Sequence, residues 1–83
     1  MSSPAHKLRI STLSAIIWRN SGDNGPWYSV QLKRSYKTGD GEWRDTDALG
    51  GDDLLPAAKL LDQAFDWITE AMQADRKARK EAA

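Results

Sequence analysis

The run Trp27-Tyr28-Ser29-Val30-Gln31-Leu32-Lys33-Arg34-Ser35-Tyr36 constrains this chain more than any other stretch. Tyr28, Val30, Leu32, Arg34 and Tyr36 take one face, and Trp27, Ser29, Gln31, Lys33 and Ser35 take the other. Successive strand side chains point to opposite sides, so this alternation describes a strand with one side on a core and the other open to water or a ligand. Asn24-Gly25-Pro26 and Gly39-Asp40-Gly41 bound it with turn chemistry. It is predicted to be the central strand of a small sheet.

Upstream, Leu8 and Ile10 alternate with Lys7, Arg9 and Ser11, and the phase then slips near Thr12-Leu13. Beyond the slip, Leu13, Ala15 and Ile17 share a face opposite Ser14, Ile16 and Trp18. A β-bulge absorbs such a one-residue slip, so 7–19 is predicted to be one long bent strand, with two short strands as the alternative. Turn formers over 20–26 join it to the central strand. A second hairpin through 37–41 leads to a short polar edge strand over 42–48.

Gly50-Gly51-Asp52-Asp53 ends the sheet and starts a helix. Asp53 is the expected N-cap, with Pro56 in the first turn, where its missing N–H costs little. Asp52 and Asp53 also suit the positive end of the helix dipole, so they read as capping residues and not as metal ligands. Two apolar stripes follow. Leu54, Ala58, Leu61, Phe65, Ile68 and Met72 have the spacing of a core face. Ala57, Leu60, Ala64, Trp67 and Ala71 lie beside them. A small sheet covers one stripe only, so the second is predicted to pair with the same helix of another copy. Leu60, Ala64, Trp67 and Ala71 are the expected dimer interface.

The domain plan is therefore a single α+β domain over 1–83, β-β-β-α. A lead-in (1–6) precedes an antiparallel sheet (7–49) of three strands, or four if the long first one divides. One long C-terminal helix (52–74) and a basic tail (75–83) follow. No cysteine and one histidine, His6, exclude disulfides and the usual Cys/His zinc site, leaving a partner subunit as the means to stabilise so short a chain. His6 itself is expected at the surface. The absence of cysteine, of a signal-like leader and of a long apolar run points to a cytoplasmic protein with no membrane partner.

Net charge is zero but unevenly spread. Residues 1–44 hold seven Lys/Arg against three acids, a net of +4; residues 45–83 hold five against nine, a net of −4. Nothing suggests catalysis or a cofactor: no cysteine nucleophile, no phosphate-cradling glycine loop, no convergent Ser/His/Asp set. The unusual feature is aromatic. Of four tryptophans, Trp18, Trp27 and Trp43 fall in the basic half. Exposed rings stack on unpaired bases, worth about 1–3 kcal/mol per base, while Lys and Arg track the phosphates. Trp18 and Trp27 are equally open to stacking or packing. Trp43 leans to packing, because Asp45 and Asp47 share its parity.

Ile17-Trp18-Arg19-Asn20, Tyr28-Ser29-Val30, Arg34-Ser35-Tyr36-Lys37, Trp43, Asp52-Asp53-Leu54-Leu55, Ala58-Lys59-Leu60 and Trp67-Ile68 together resemble a family of small bacterial proteins that carries no catalytic motif. In plan, antiparallel strands followed by one long helix are similar to the Whirly, Pur-alpha and positive-cofactor-four type single-strand binders. That resemblance implies single-stranded DNA or RNA laid over a β-surface. The expected function is sequence-tolerant binding by a homodimer, Trp18 and Trp27 stacking and Lys7, Arg9, Lys33 and Arg44 holding phosphates. A protein-interaction module with no nucleic-acid role is the alternative. A small-ligand pocket between helix and sheet is a weaker third.

Overall fold

The structure is a computed structural model that describes residues 3–82, with side-chain surroundings for 3–80. Four antiparallel strands, β1 (His6–Ile10), β2 (Leu13–Gly22), β3 (Gly25–Lys37) and β4 (Trp43–Thr46), form one sheet in the order β1-β2-β3-β4. A 3₁₀ turn (Gly51–Asp53) then leads into α1 (Leu54–Ala82), which packs across one face. The plan is α+β, as expected, with four strands.

The phase slip at Thr12-Leu13 is a turn and not a bulge. Ile10 pairs with Leu13 across a two-residue loop, and Ser11 takes a φ of 55°. A positive φ at the first loop residue alone matches the tight hairpin turn whose twist suits its flanking strands. The slip therefore separates two strands and keeps Leu8, Ile10, Leu13, Ala15 and Ile17 on one side. The β2–β3 hairpin is also tighter than expected: Gly22 pairs with Gly25 around Asp23-Asn24, and Gly25 adopts a φ of 112°. Only glycine takes that dihedral without strain.

Register and alternation sort the sheet into two faces. Directly paired residues of an antiparallel sheet share a face. Leu8, Ile10, Leu13, Ala15, Ile17, Val30 and Leu32 therefore face α1, together with Tyr28, Arg34 and Tyr36. Leu13, Ile17 and Leu60 are the largest fully buried side chains, each worth about 1.5–3 kcal/mol in removed apolar surface. Leu49, in the connection from β4, packs against the same cluster.

The two helix stripes exchange roles. Ala57, Leu60 and Ala64 are buried against the sheet, and Trp67 sits between His6 and Tyr28. His6 stacks on it at 5.0 Å with the planes 2° apart. His6 is thus packed, not a free surface residue. Of the expected dimer interface, Leu60 and Ala64 are buried in the chain's own core and so are closed to another copy, while Trp67 and Ala71 are half-buried beside them. Leu54, Leu61, Phe65 and Met72, expected in the core, are exposed. Both stripes have helical spacing, and the small residues Ala57, Ala64 and Ala71 settle the choice. They let the helix backbone approach the sheet closely, which Phe65 and Met72 would prevent.

At its start the helix also departs from expectation. Asp53 is not the N-cap; it closes the 3₁₀ turn, its carboxylate accepting from the Gly50 N–H at 2.9 Å and pairing with Arg34 at 3.4 Å. Pro56 does fall in the first turn of α1. At the other end α1 continues through the expected basic tail to Ala82, about 43 Å in all at 1.5 Å per residue. A polar clamp holds this extension. Tyr28 Oη donates to Asp75 Oδ2 at 2.7 Å, and Arg19 Nη2 meets Asp75 Oδ1 at 3.3 Å. The Tyr28 hydroxyl, and then Arg19, hold the Asp75 carboxyl below its ordinary range, while burial pushes the Tyr28 hydroxyl up. Arg79 lies over Gly25, where a Cβ would come within 3.0 Å of its Nη1.

Candidate nucleic-acid interface

The face turned away from α1 carries Lys7, Arg9, Ser14, Ile16, Trp18, Asn20, Trp27, Ser29, Gln31, Lys33, Ser35 and Lys37, with Trp43 and Asp45 from β4. The ladder arranges them in rows. Trp27 lies opposite Asn20 near the β2–β3 tip, and Trp18 opposite Ser29 comes next. A basic band follows, from Lys7 beside Ile16 to Arg9, Ser14 and Lys33 across three strands. Lys37 and Trp43 close the far end. The four bases on this face, Lys7, Arg9, Lys33 and Lys37, outnumber its one strand carboxylate, Asp45.

Local hydrogen bonds fix several of these groups. Trp18 Nε1 donates to Gln31 Oε1 at 2.9 Å, which anchors the indole across β2 and β3. Asn20 Nδ2 donates to Ser29 Oγ at 3.3 Å, and Trp18, Arg19, Asn20, Ser29 and Gln31 line an open depression of about 350 Å³. Ser35 Oγ donates to Asp45 Oδ1 at 2.8 Å, directing that carboxylate toward β3. Trp27 is 53% exposed and Trp43 63%, while Trp18 is half-buried. Trp43 is therefore not packing filler, contrary to expectation. Asp45 shares its face, but the exposed ring has no core to join.

Of the six residues expected to touch nucleic acid, five share this face: Lys7, Arg9, Trp18, Trp27 and Lys33. Arg44 does not. It pairs with Tyr36 on the other side and meets Glu42 at 3.6 Å. Trp43 and Arg44 are neighbours in β4, and one step along a strand sends side chains to opposite faces. Gln31 and Lys37 belong to the surface and were not singled out. Their parity with Trp27 and Lys33 already placed them there. No protein-family model, no curated protein and no solved structure matches the chain. Its chemistry must be read from this surface.

Proposed function

We propose that the open face of the sheet binds single-stranded nucleic acid with little sequence preference. What supports the reading is one juxtaposition: Trp18, Trp27 and Trp43 share a face with Lys7, Arg9, Lys33 and Lys37, while α1 occupies the opposite face. A tryptophan exposed over half its surface on the same face as a basic band offers an unpaired base a stacking face and the strand's phosphates a counter-charge. A paired base has no free ring to offer, so duplex gains the phosphate attraction alone. No step of chemistry is involved; this is a binding surface.

A titration of fluorescent oligo-dT across a salt series tests it. With about four phosphates neutralised, log affinity falls against log salt with a slope near −3, at about −0.7 per phosphate for single strands. Lys33→Ala lowers that slope by about one phosphate's share and leaves stacking intact. Matched duplex binds more weakly than oligo-dT, and tryptophan fluorescence is quenched as the strand is added. If folded protein binds neither oligo-dT nor an RNA of equal length at low salt, the surface serves a protein partner instead.

A further inference from the structure

Two incomplete features of the fold meet along one line. β4 pairs only with the last four residues of β3, Arg34 to Lys37, so β3 has a free edge from Pro26 to Lys33 on that side. The Ser35 N–H donates toward β2, to Thr12 O at 2.8 Å. Backbone groups of alternate residues in an antiparallel strand point to opposite neighbours, so the N–H and C=O of Tyr28, Val30 and Leu32 point out from the free edge. Along the same flank runs the exposed helix stripe. Met72 and Arg79 border Asn24 and Pro26 at the start of β3. Phe65, one heptad before Met72, and Ile68 and Leu61 therefore lie on the β3 side of α1. Phe65 is 67% exposed and Leu61 45%.

We propose that a second copy of the chain docks here about a two-fold axis, β3 against β3 and helix flank against helix flank. The edge is self-complementary. Centred on Val30, antiparallel pairing over 27–33 sets Tyr28 opposite the partner's Leu32 and uses every outward N–H and C=O of Tyr28, Val30 and Leu32; it ends where Thr46 already pairs with Arg34, so each chain leaves the shared edge at Pro26. Centring on Ser29 would instead set Leu32 opposite the partner's Pro26, which has no N–H. The helix agrees with the same centre. Trp67 packs on Tyr28 at 6.1 Å, so Phe65 and Ile68 lie level with the middle of the free edge. The helical stretch Gly51–Ala82 has its midpoint between Asp66 and Trp67. A two-fold also turns each acidic helix start, Asp52 and Asp53, toward the basic end of the other, with Arg76 and Lys80. Exposed apolar flanks of this kind mark association surfaces. The chain by itself is elongated: its radius of gyration is 15.8 Å, against about 12 Å for a compact domain of this length.

The pairing yields an eight-stranded sheet with both helices on one side. Both open faces then form one surface, and Trp27 lies opposite the partner's Lys33. This consequence for binding rests on the nucleic-acid reading above; the dimer itself does not. Sedimentation and amide exchange, both without nucleic acid, test it. The unaltered protein is expected to sediment at twice the 9.3 kDa chain mass at micromolar concentration. The Tyr28, Val30 and Leu32 amides exchange slowly there and fast on dilution to monomer. Phe65→Glu, at a site exposed in the single chain, gives a folded monomer in which those three amides exchange fast while Ser29 and Gln31 stay protected by β2. Should that variant unfold, the dilution series reads the same amides in the unaltered chain. A monomer at micromolar concentration overturns the proposal, as does a dimer that exchanges those amides freely or tolerates Phe65→Glu. Failure of oligo-dT to bind an intact dimer overturns the functional reading alone.

Discussion

The two faces of this sheet use tryptophan in opposite ways. Under the helix, Trp67 is fixed on both sides, stacked on His6 and edge-on to Tyr28 at 6.1 Å. On the open face, Trp27 and Trp43 have no aromatic partner among the described residues and leave more than half their surface in water. The same side chain packs where the helix lays it on the sheet and is available where a strand turns it outward. The comparison teaches that the element and face that carry a tryptophan hold more functional information than the residue type. It also separates what substitutions should do: the helix side decides whether the chain folds, and the open side decides what the folded chain binds.

The largest expected effect tests the first half of that statement. Leu60 is fully buried between α1 and the sheet, so Leu60→Ala should cost about 2–5 kcal/mol, the usual range for a buried leucine truncation. Chemical denaturation reads it directly. A loss below 1 kcal/mol on the order expected for a surface site would mean that the stripe assignment is wrong. On the open face, Trp27→Ala should change stability by no more than about 0.5 kcal/mol, as for a surface site. The same substitution should weaken oligo-dT binding by about 1–3 kcal/mol without altering the salt slope. If Trp27→Ala unfolds the protein, the two faces do not divide their roles as described.

Much of this division is legible in the residues. The alternation from Trp27 to Tyr36 places each of those side chains on its observed face, and five of the six expected contact residues land together. Two things were not legible, for physical reasons. A phase slip between Ile10 and Leu13 is compatible with a bulge or a turn, because both restore the apolar side to the core. Only the pairing partners decide: in a turn the two segments pair with each other, as Ile10 does with Leu13, and in a bulge they share one neighbouring strand. The helix presents two stripes of equal period, and periodicity cannot say which one meets the sheet. The decision rests on close approach, which favours Ala57, Ala64 and Ala71 over the bulkier Phe65 and Met72. Arg44 was misplaced through neighbourhood in sequence with Trp43, when a strand sends neighbours to opposite sides.

The smallest expected effect concerns the clamp that carries the helix face to the β2–β3 tip, and it responds to pH. Asp75 accepts from the Tyr28 hydroxyl and from Arg19, and both hold its carboxyl below the ordinary value of 3.8. A carboxyl depressed in the folded state contributes stability above its unfolded value and loses it as pH falls through the folded one. The Tyr28 hydroxyl, raised above 10.0 by burial and by its bond to Asp75, contributes below pH 10 and loses that contribution as pH climbs past its folded value. The clamp is therefore fully formed across the window between these limits and weakens outside it. Tyr28→Phe keeps the ring that packs on Trp67 and removes the hydroxyl. Its stability deficit against the unaltered protein should be constant near neutral pH and should narrow in acid, as pH falls below the ordinary carboxyl value of 3.8 and on through the lower value that Asp75 has in the folded unaltered protein. Trp27→Ala, on the open face, should show no such convergence. A Tyr28→Phe deficit that stays flat into strong acid would mean that Tyr28 acts through its ring alone, and that the helix end is held by packing as the rest of the helix face is.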